Sequence, residues 1–154
     1  MWGLRSVSNS ASGIDFMLAK VAQQFSHEFG IPVECSVSGQ PFPLSQSTGH
    51  EVLMIAREGL YNSIRHAQPS KVRLTVKFEQ GKLAIRIVDD GCGFDVNALS
   101  RKPENHYGLI GMRERVERIG GTFTLKSAIG EGTDITVEVP AKGIVSVPAS
   151  ETAL

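Results

Sequence analysis

Three stretches of this 154-residue sequence carry residue types whose spacing could do chemistry. In the first, Glu58, Asn62 and His66 stand four residues apart, with Arg65 beside the last. On a helix that spacing puts a carboxylate, an amide and an imidazole in one row, groups able to hold a metal ion or move a proton. The same row would serve equally as the solvated side of a surface helix. In the second, Asp89 follows Leu83, Ile85 and Ile87 at alternate positions, so strand parity places its carboxylate at the end of an apolar face. A carboxylate there needs a donor, because burying it unpaired is costly. Either the carboxylate caps the N–H groups of the glycine turn Gly91-Cys92-Gly93, or a frayed strand end exposes it, or it accepts from a flat ligand that those glycines let close to the backbone. Asp90 has the opposite parity and is expected to face solvent. In the third, Gly108-Leu109-Ile110-Gly111 opens a helical pattern, where free N–H groups and the helix dipole attract an anion; an ordinary hinge would read the same way. Gly130-Glu131-Gly132-Thr133 is most simply a hairpin turn.

The elements that must hold these groups follow from periodicity. Leu18, Val21, Ala22, Phe25 and Phe29 recur at helical spacing, and Gly30 with Pro32 ends that helix. Val33, Cys35 and Val37 suggest a short strand. A second helix is expected from about Thr48 to Ala67, with Val52, Leu53, Ala56, Leu60, Ile64 and Ala67 as its apolar stripe, opposite the Glu58 row. Val72, Leu74, Val76 and Phe78 alternate with polar residues, and Gln80-Gly81 turns into a strand bearing Leu83, Ile85 and Ile87. A third helix carries Leu109, Met112, Val116 and Ile119 and stops at Gly120-Gly121. Strands near Thr122–Lys126 and Thr133–Val139 close the pattern. The order αβαββαββ, with mostly hairpin-connected strands, predicts an α+β sandwich rather than a doubly wound parallel sheet. Residues 1–13 read as a flexible lead-in, 14–141 as one domain and 142–154 as a flexible tail.

Sixteen Lys and Arg balance sixteen Asp and Glu, which argues against a nucleic-acid binder working through bulk charge. No apolar run is long enough to span a bilayer, and the start lacks the apolar stretch of a signal peptide. Cys35 and Cys92 are too few for a disulfide scaffold or a zinc site and fit a reducing compartment. The expected setting is cytoplasmic, without membrane contact by this domain, although a longer parent protein would be free to carry membrane segments. No Walker loop and no G-x-G-x-x-G occurs. An acceptor for a base, a glycine-rich anion cradle and a Glu/Asn pair suited to magnesium and water together describe a nucleoside triphosphate site without a P-loop.

Here the sequence resembles the sensor histidine kinases. Arg57-Glu58-Gly59-Leu60-Tyr61-Asn62-Ser63-Ile64-Arg65-His66-Ala67 is similar to their N box, and Asp89-Asp90-Gly91-Cys92-Gly93-Phe94 to their G1 box. His106-Tyr107-Gly108-Leu109-Ile110-Gly111-Met112-Arg113-Glu114-Arg115 resembles the G2 box, and Gly130-Glu131-Gly132-Thr133 the last glycine box, all in the family's order. The G2 wording resembles the subfamily paired with helix-turn-helix response regulators. The resemblance implies the Bergerat ATP-binding fold, a two-layer sandwich with a mixed sheet and helices on one face. It implies ATP and Mg²⁺ as cofactors. Asp89 would accept from the adenine amino group, with Gly91 and Gly93 shaping the base pocket. Asn62 would ligate Mg²⁺, and Glu58 would be the polarising base beside it. Gly108, Leu109, Gly111 and Thr133 would border the nucleotide beneath a lid from about Asp95 to Tyr107, with His66 and His106 touching phosphate.

Such kinases phosphorylate a histidine on a separate dimerising two-helix domain, which is the implied partner, with a response regulator beyond it. About fifteen residues precede the first predicted helix, so that domain is expected to be absent from this sequence. His27-Glu28 does not replace it, because Gly30 and Pro32 end the helix within a turn. A stand-alone serine kinase of the anti-sigma-factor type and a non-catalytic module with the same fold are the alternative readings.

Overall fold

The computed structural model describes residues 13–98 and 107–140. The lead-in, the tail, His106 and most of the lid segment lie outside the described residues. Helix α1 (Ile14–Phe29) buries Ile14, Leu18, Val21, Ala22 and Phe25 on one side. It stops at Gly30, whose φ of 70° and N–H bond to Ser26 O form a left-handed cap. Strand β1 (Val33–Gly39) follows, then helix α2 (Gln46–Asn62), which begins two residues earlier than its periodicity suggests. Ser45 is the reason: its hydroxyl accepts the Thr48 N–H at 3.2 Å, a side-chain N-cap. Strands β2 (Val72–Glu79) and β3 (Lys82–Asp89), helix α3 (Tyr107–Arg118), and strands β4 (Thr122–Ser127) and β5 (Thr133–Pro140) complete the chain.

The five strands lie in the order β1-β2-β3-β5-β4. The β1–β2 pair is parallel and the other three are antiparallel, so the sheet is mixed as expected. Alternation does the rest. Val72, Leu74, Val76 and Phe78, then Leu83, Ile85 and Ile87, then Ile135, Val137 and Val139, are all buried beneath the helices. The opposite face is polar. Arg86 there grips Asp134 with two hydrogen bonds, 3.0 and 2.6 Å, and Lys82 meets Glu138 at 3.1 Å. Such exposed pairs add little to stability and mainly keep this face wet.

Two features of α2 differ from the sequence reading. Its buried stripe is Val52, Ile55, Ala56, Gly59 and Leu60, with Leu53 only half-buried. The stripe is turned because α2 packs against α1, α3 and β3 together. The helix also does not run as α to Ala67: Ser63–Ala67 form a π-turn, ending at Gln68 with φ 51°. Between α2 and α3, Arg115 donates to Glu51 at 2.8 Å, and that bond holds the Glu51 carboxyl below its usual range.

Asp90 is exposed, as parity requires, and it clips down the segment after the π-turn. Its carboxylate accepts the N–H groups of Ser70 at 2.8 Å and Lys71 at 3.2 Å, and the Ser70 hydroxyl as well. The Ser70 hydroxyl first, then the Ser70 N–H, holds the Asp90 carboxyl below its ordinary value. A depressed folded value means that ionisation favours the folded state. The contribution is complete above the unfolded value of about 3.9 and is lost as pH falls through the folded one. Asp90→Asn is therefore expected to melt earlier than wild type near neutral pH, with the gap closing below about pH 4. Melts across that range check it, and a gap independent of pH would contradict the clip.

Candidate functional site

A cavity of about 290 Å³ opens at the ends of β3 and β5, beneath the π-turn. Asn62, Ser63, His66 and Ala67 line it from the helix, Asp89, Gly93 and Phe94 from the end of β3 and the loop after it, Leu109 from α3, and Thr133 and Ile135 from β5. That volume is at the small end for ligand pockets, room for a ring system rather than a whole nucleotide.

Asp89 is the last residue of β3, paired in register with Thr133 and only 5% exposed. Its carboxylate is met from within the protein: Ser63 Oγ donates to Oδ2 at 2.8 Å and the Gly91 N–H to Oδ1 at 2.9 Å. Each oxygen keeps a further lone pair for a ligand. The loop after it is tied down on both sides. Cys92 N–H bonds to Ala67 O at 2.8 Å, Gly130 N–H to Cys92 O at 2.6 Å, and Phe94 N–H to Ser127 Oγ at 2.9 Å. A Cβ on Gly91 would overlap the Ala67 carbonyl, and one on Gly93, at φ +64°, the Ala128 carbonyl. These two glycines are what allow the loop to lie between the helix end and the β4–β5 turn.

Beside Asn62, Gly108 presses on the Glu58 row. A Cβ there would stand 2.8 Å from Asn62 Nδ2 and 3.2 Å from Glu58 Oε2. Asn62 Nδ2 is buried without a hydrogen-bond partner. A buried amide left so costs about 1–3 kcal/mol, and a ligand that satisfies it recovers this. Among the described residues no cluster of three His, Cys, Asp or Glu could cage a metal. One amide oxygen and one carboxylate are the donors at hand, which suits Mg²⁺ completing its shell with water and phosphate oxygens.

The cavity thus gathers Asn62, His66, Asp89, Gly93, Leu109 and Thr133 of the predicted residues. Glu58, Gly91 and Gly108 do not line it but adjoin residues that do or each other, and a Cβ on Gly111 would face open space. Arg65 leaves the row: it is exposed and turned onto Tyr61, donating to its hydroxyl at 3.0 Å. Ser63, Ala67, Phe94 and Ile135 are site residues that sequence reasoning does not single out. Ser63 has a signal all the same, since it is a polar residue on the apolar side of a helix.

Residues 49–143 match the model of the histidine kinase-, DNA gyrase B- and HSP90-like ATPases. The chain belongs to this family. Among the ATPases of this kind, it is 31% identical over 136 residues to the nitrate/nitrite sensor protein NarX of Escherichia coli, covering 88% of this chain and 22% of NarX. The chain therefore spans about a fifth of that relative. Its fold is that of the histidine kinase domain of the Erythrobacter litoralis EL346 blue-light activated kinase, with TM-score 0.68 at 20% identity over 84% of this chain and 62% of that one. ShkA, solved full-length in complex with AMPPNP, gives TM-score 0.69 at 21% identity over 82% and 30%. No described helix is long and apolar enough to cross a membrane.

Proposed function

We propose that residues 14–141 are the catalytic domain of a sensor histidine kinase, binding Mg·ATP and transferring its γ-phosphoryl group to a histidine on a separate dimerisation domain. A response regulator then receives the group. The observation that carries this reading is the unpartnered Asn62 amide beside Glu58 and Gly108, lining the same cavity as the buried Asp89. The ligand for such a site has a ring with a donor edge at one end and a charged, metal-binding group at the other.

Asp89 orients the base through its amino group, and Leu109, Phe94 and Ile135 exclude water from its ring. Asn62 would hold Mg²⁺, with the Glu58 carboxylate beside it, and the ion when bound would offset the charge developing on the phosphates. The start of α3 at Gly108 offers backbone N–H groups to phosphate, and His66, which lines the cavity, adds a contact there. In the transfer, the bond from the γ-phosphorus to the bridging oxygen breaks, a bond to the acceptor imidazole nitrogen forms, and ADP leaves. Glu58 orients the imidazole and takes up its proton. Positioning is the larger part of such catalysis. The AMPPNP complex of ShkA and the sensor role in the name of NarX support the same reading.

Calorimetric titration with a non-hydrolysable ATP analogue, with and without Mg²⁺, tests it. Wild type is expected to bind more tightly with Mg²⁺, and Asn62→Ala to lose that gain, roughly tenfold or more, the scale on which even outer partners of a metal count. Failure of the folded chain to bind, or a full Mg²⁺ effect in Asn62→Ala, would overturn the assignment. Acid-stable phosphate on a supplied acceptor would point to a serine kinase instead.

A further inference from the structure

Ser127, the last residue of β4, does not line the cavity, yet it governs the direction of a hydrogen bond that does. A serine has one hydroxyl proton. That of Ser127 goes to the Gly132 carbonyl at 2.8 Å, because a carbonyl only accepts. Phe94 N–H donates to the same hydroxyl oxygen at 2.9 Å. The remaining contact, 3.0 Å to Thr133 Oγ1, must then be donated by Thr133. The proton of Thr133 is thereby turned away from the cavity, and its lone pairs are left toward it. Ser63 is in the same position, since its single proton is given to Asp89 Oδ2.

We propose that Ser127 sets the base preference of the site, by holding the Thr133 proton so that Asp89, Ser63 and Thr133 form a floor of acceptors only. The proposal rests on the nucleotide reading above and names the chemistry the site selects. With its six-substituent set on Asp89, as in that reading, a 6-amino purine presents amino N–H donors to such a floor. In the same pose a 6-oxo purine, whose edge donor is N1–H instead, sets its carbonyl oxygen against lone pairs, one of them on a carboxylate. Sites built to accept an N–H reject analogues lacking it far more strongly than apolar pockets reject a methyl group. Removing the Ser127 hydroxyl frees the Thr133 proton to turn inward and donate to the 6-oxo group.

The test is titration of the 154-residue chain with ADP and with IDP, which differs at the six position and lacks the two-amino group that would complicate GDP. Wild type is expected to prefer ADP by roughly a hundredfold. Ser127→Ala should bring the two within about tenfold, chiefly by tighter IDP binding, while Ser127→Thr keeps the wild-type ratio. General loosening of the loop would weaken both nucleotides alike and leave the ratio unmoved. Where the alanine variant does not fold, Ser127→Cys carries the test, because sulfur matches the size but accepts weakly. An unchanged ratio in these variants, or a wild type that binds ADP and IDP equally, overturns the inference and leaves the nucleotide reading intact. A folded wild type that binds neither nucleotide overturns the nucleotide reading itself.

Discussion

Asp89→Asn is expected to reduce ADP affinity by about 1–3 kcal/mol, roughly 5- to 150-fold, with little change in melting temperature. The two effects separate because of how the carboxylate is held. An asparagine oxygen can still accept the Gly91 N–H, and the Ser63 hydroxyl can turn round and accept from the new amide N–H. The internal hydrogen bonds are thus conserved in number, and the fold should survive. What changes is the face shown to the ligand. A charged acceptor becomes a neutral one, and the proton released by Ser63 points a donor toward the cavity. Calorimetry with ADP beside a thermal melt checks both halves. Unchanged affinity in a folded variant would mean that Asp89 is a structural carboxylate for the glycine turn and nothing more.

Gly93→Ala carries the largest expected effect on stability. At φ +64° an alanine is strained by about 1–3 kcal/mol on backbone grounds alone. Its Cβ would also overlap the Ala128 carbonyl and stand 2.8 Å from the Gly132 carbonyl. Both neighbours are backbone, within a turn whose own Gly130 is bonded to Cys92 O, so neither moves without breaking the tie that places Phe94. A total loss of about 2–4 kcal/mol is expected, lowering Tm by roughly 4–16 °C, with nucleotide binding lost beyond what stability explains. A variant that melts like wild type would show that the loop reaches the β4–β5 turn less closely than described.

Much of this architecture is legible in the sequence alone, because it depends on local periodicity. The alternation through Val72–Phe78 and Leu83–Asp89 fixes which side of each strand is buried, and Asp89 falls on the buried side by simple parity. The site residues that escape such reasoning are those whose role is set across the chain. Ser127 and Ser63 are ordinary polar residues until the ladder brings Thr133 beside Asp89 and the helix end above it. Ile55 falls outside the predicted apolar stripe because one period describes one buried face, and α2 is covered on several. The π-turn leaves no mark in a period of 3.6 over five residues. Its presence matters because it sends the Ala67 carbonyl to Cys92 while Asn62 and His66 still reach the cavity.

That turn has a bearing on how the segment tolerates change. A π-turn holds one residue more than an α-helix of the same reach, so it behaves as an insertion absorbed without breaking the helix. Deleting any one residue from Ser63 to Ala67 would let the helix rewind as α, rotating the chain beyond it by about 100° and drawing it back by about 1.5 Å. The carbonyl that hooks Cys92 would then point elsewhere, though every residue with a chemical role could remain. Between Asn62 and Pro69 the chain is constrained in length more than in lettering: exchanges of side chain there are local events, whereas a single gap would unseat the loop that carries Gly91 and Gly93.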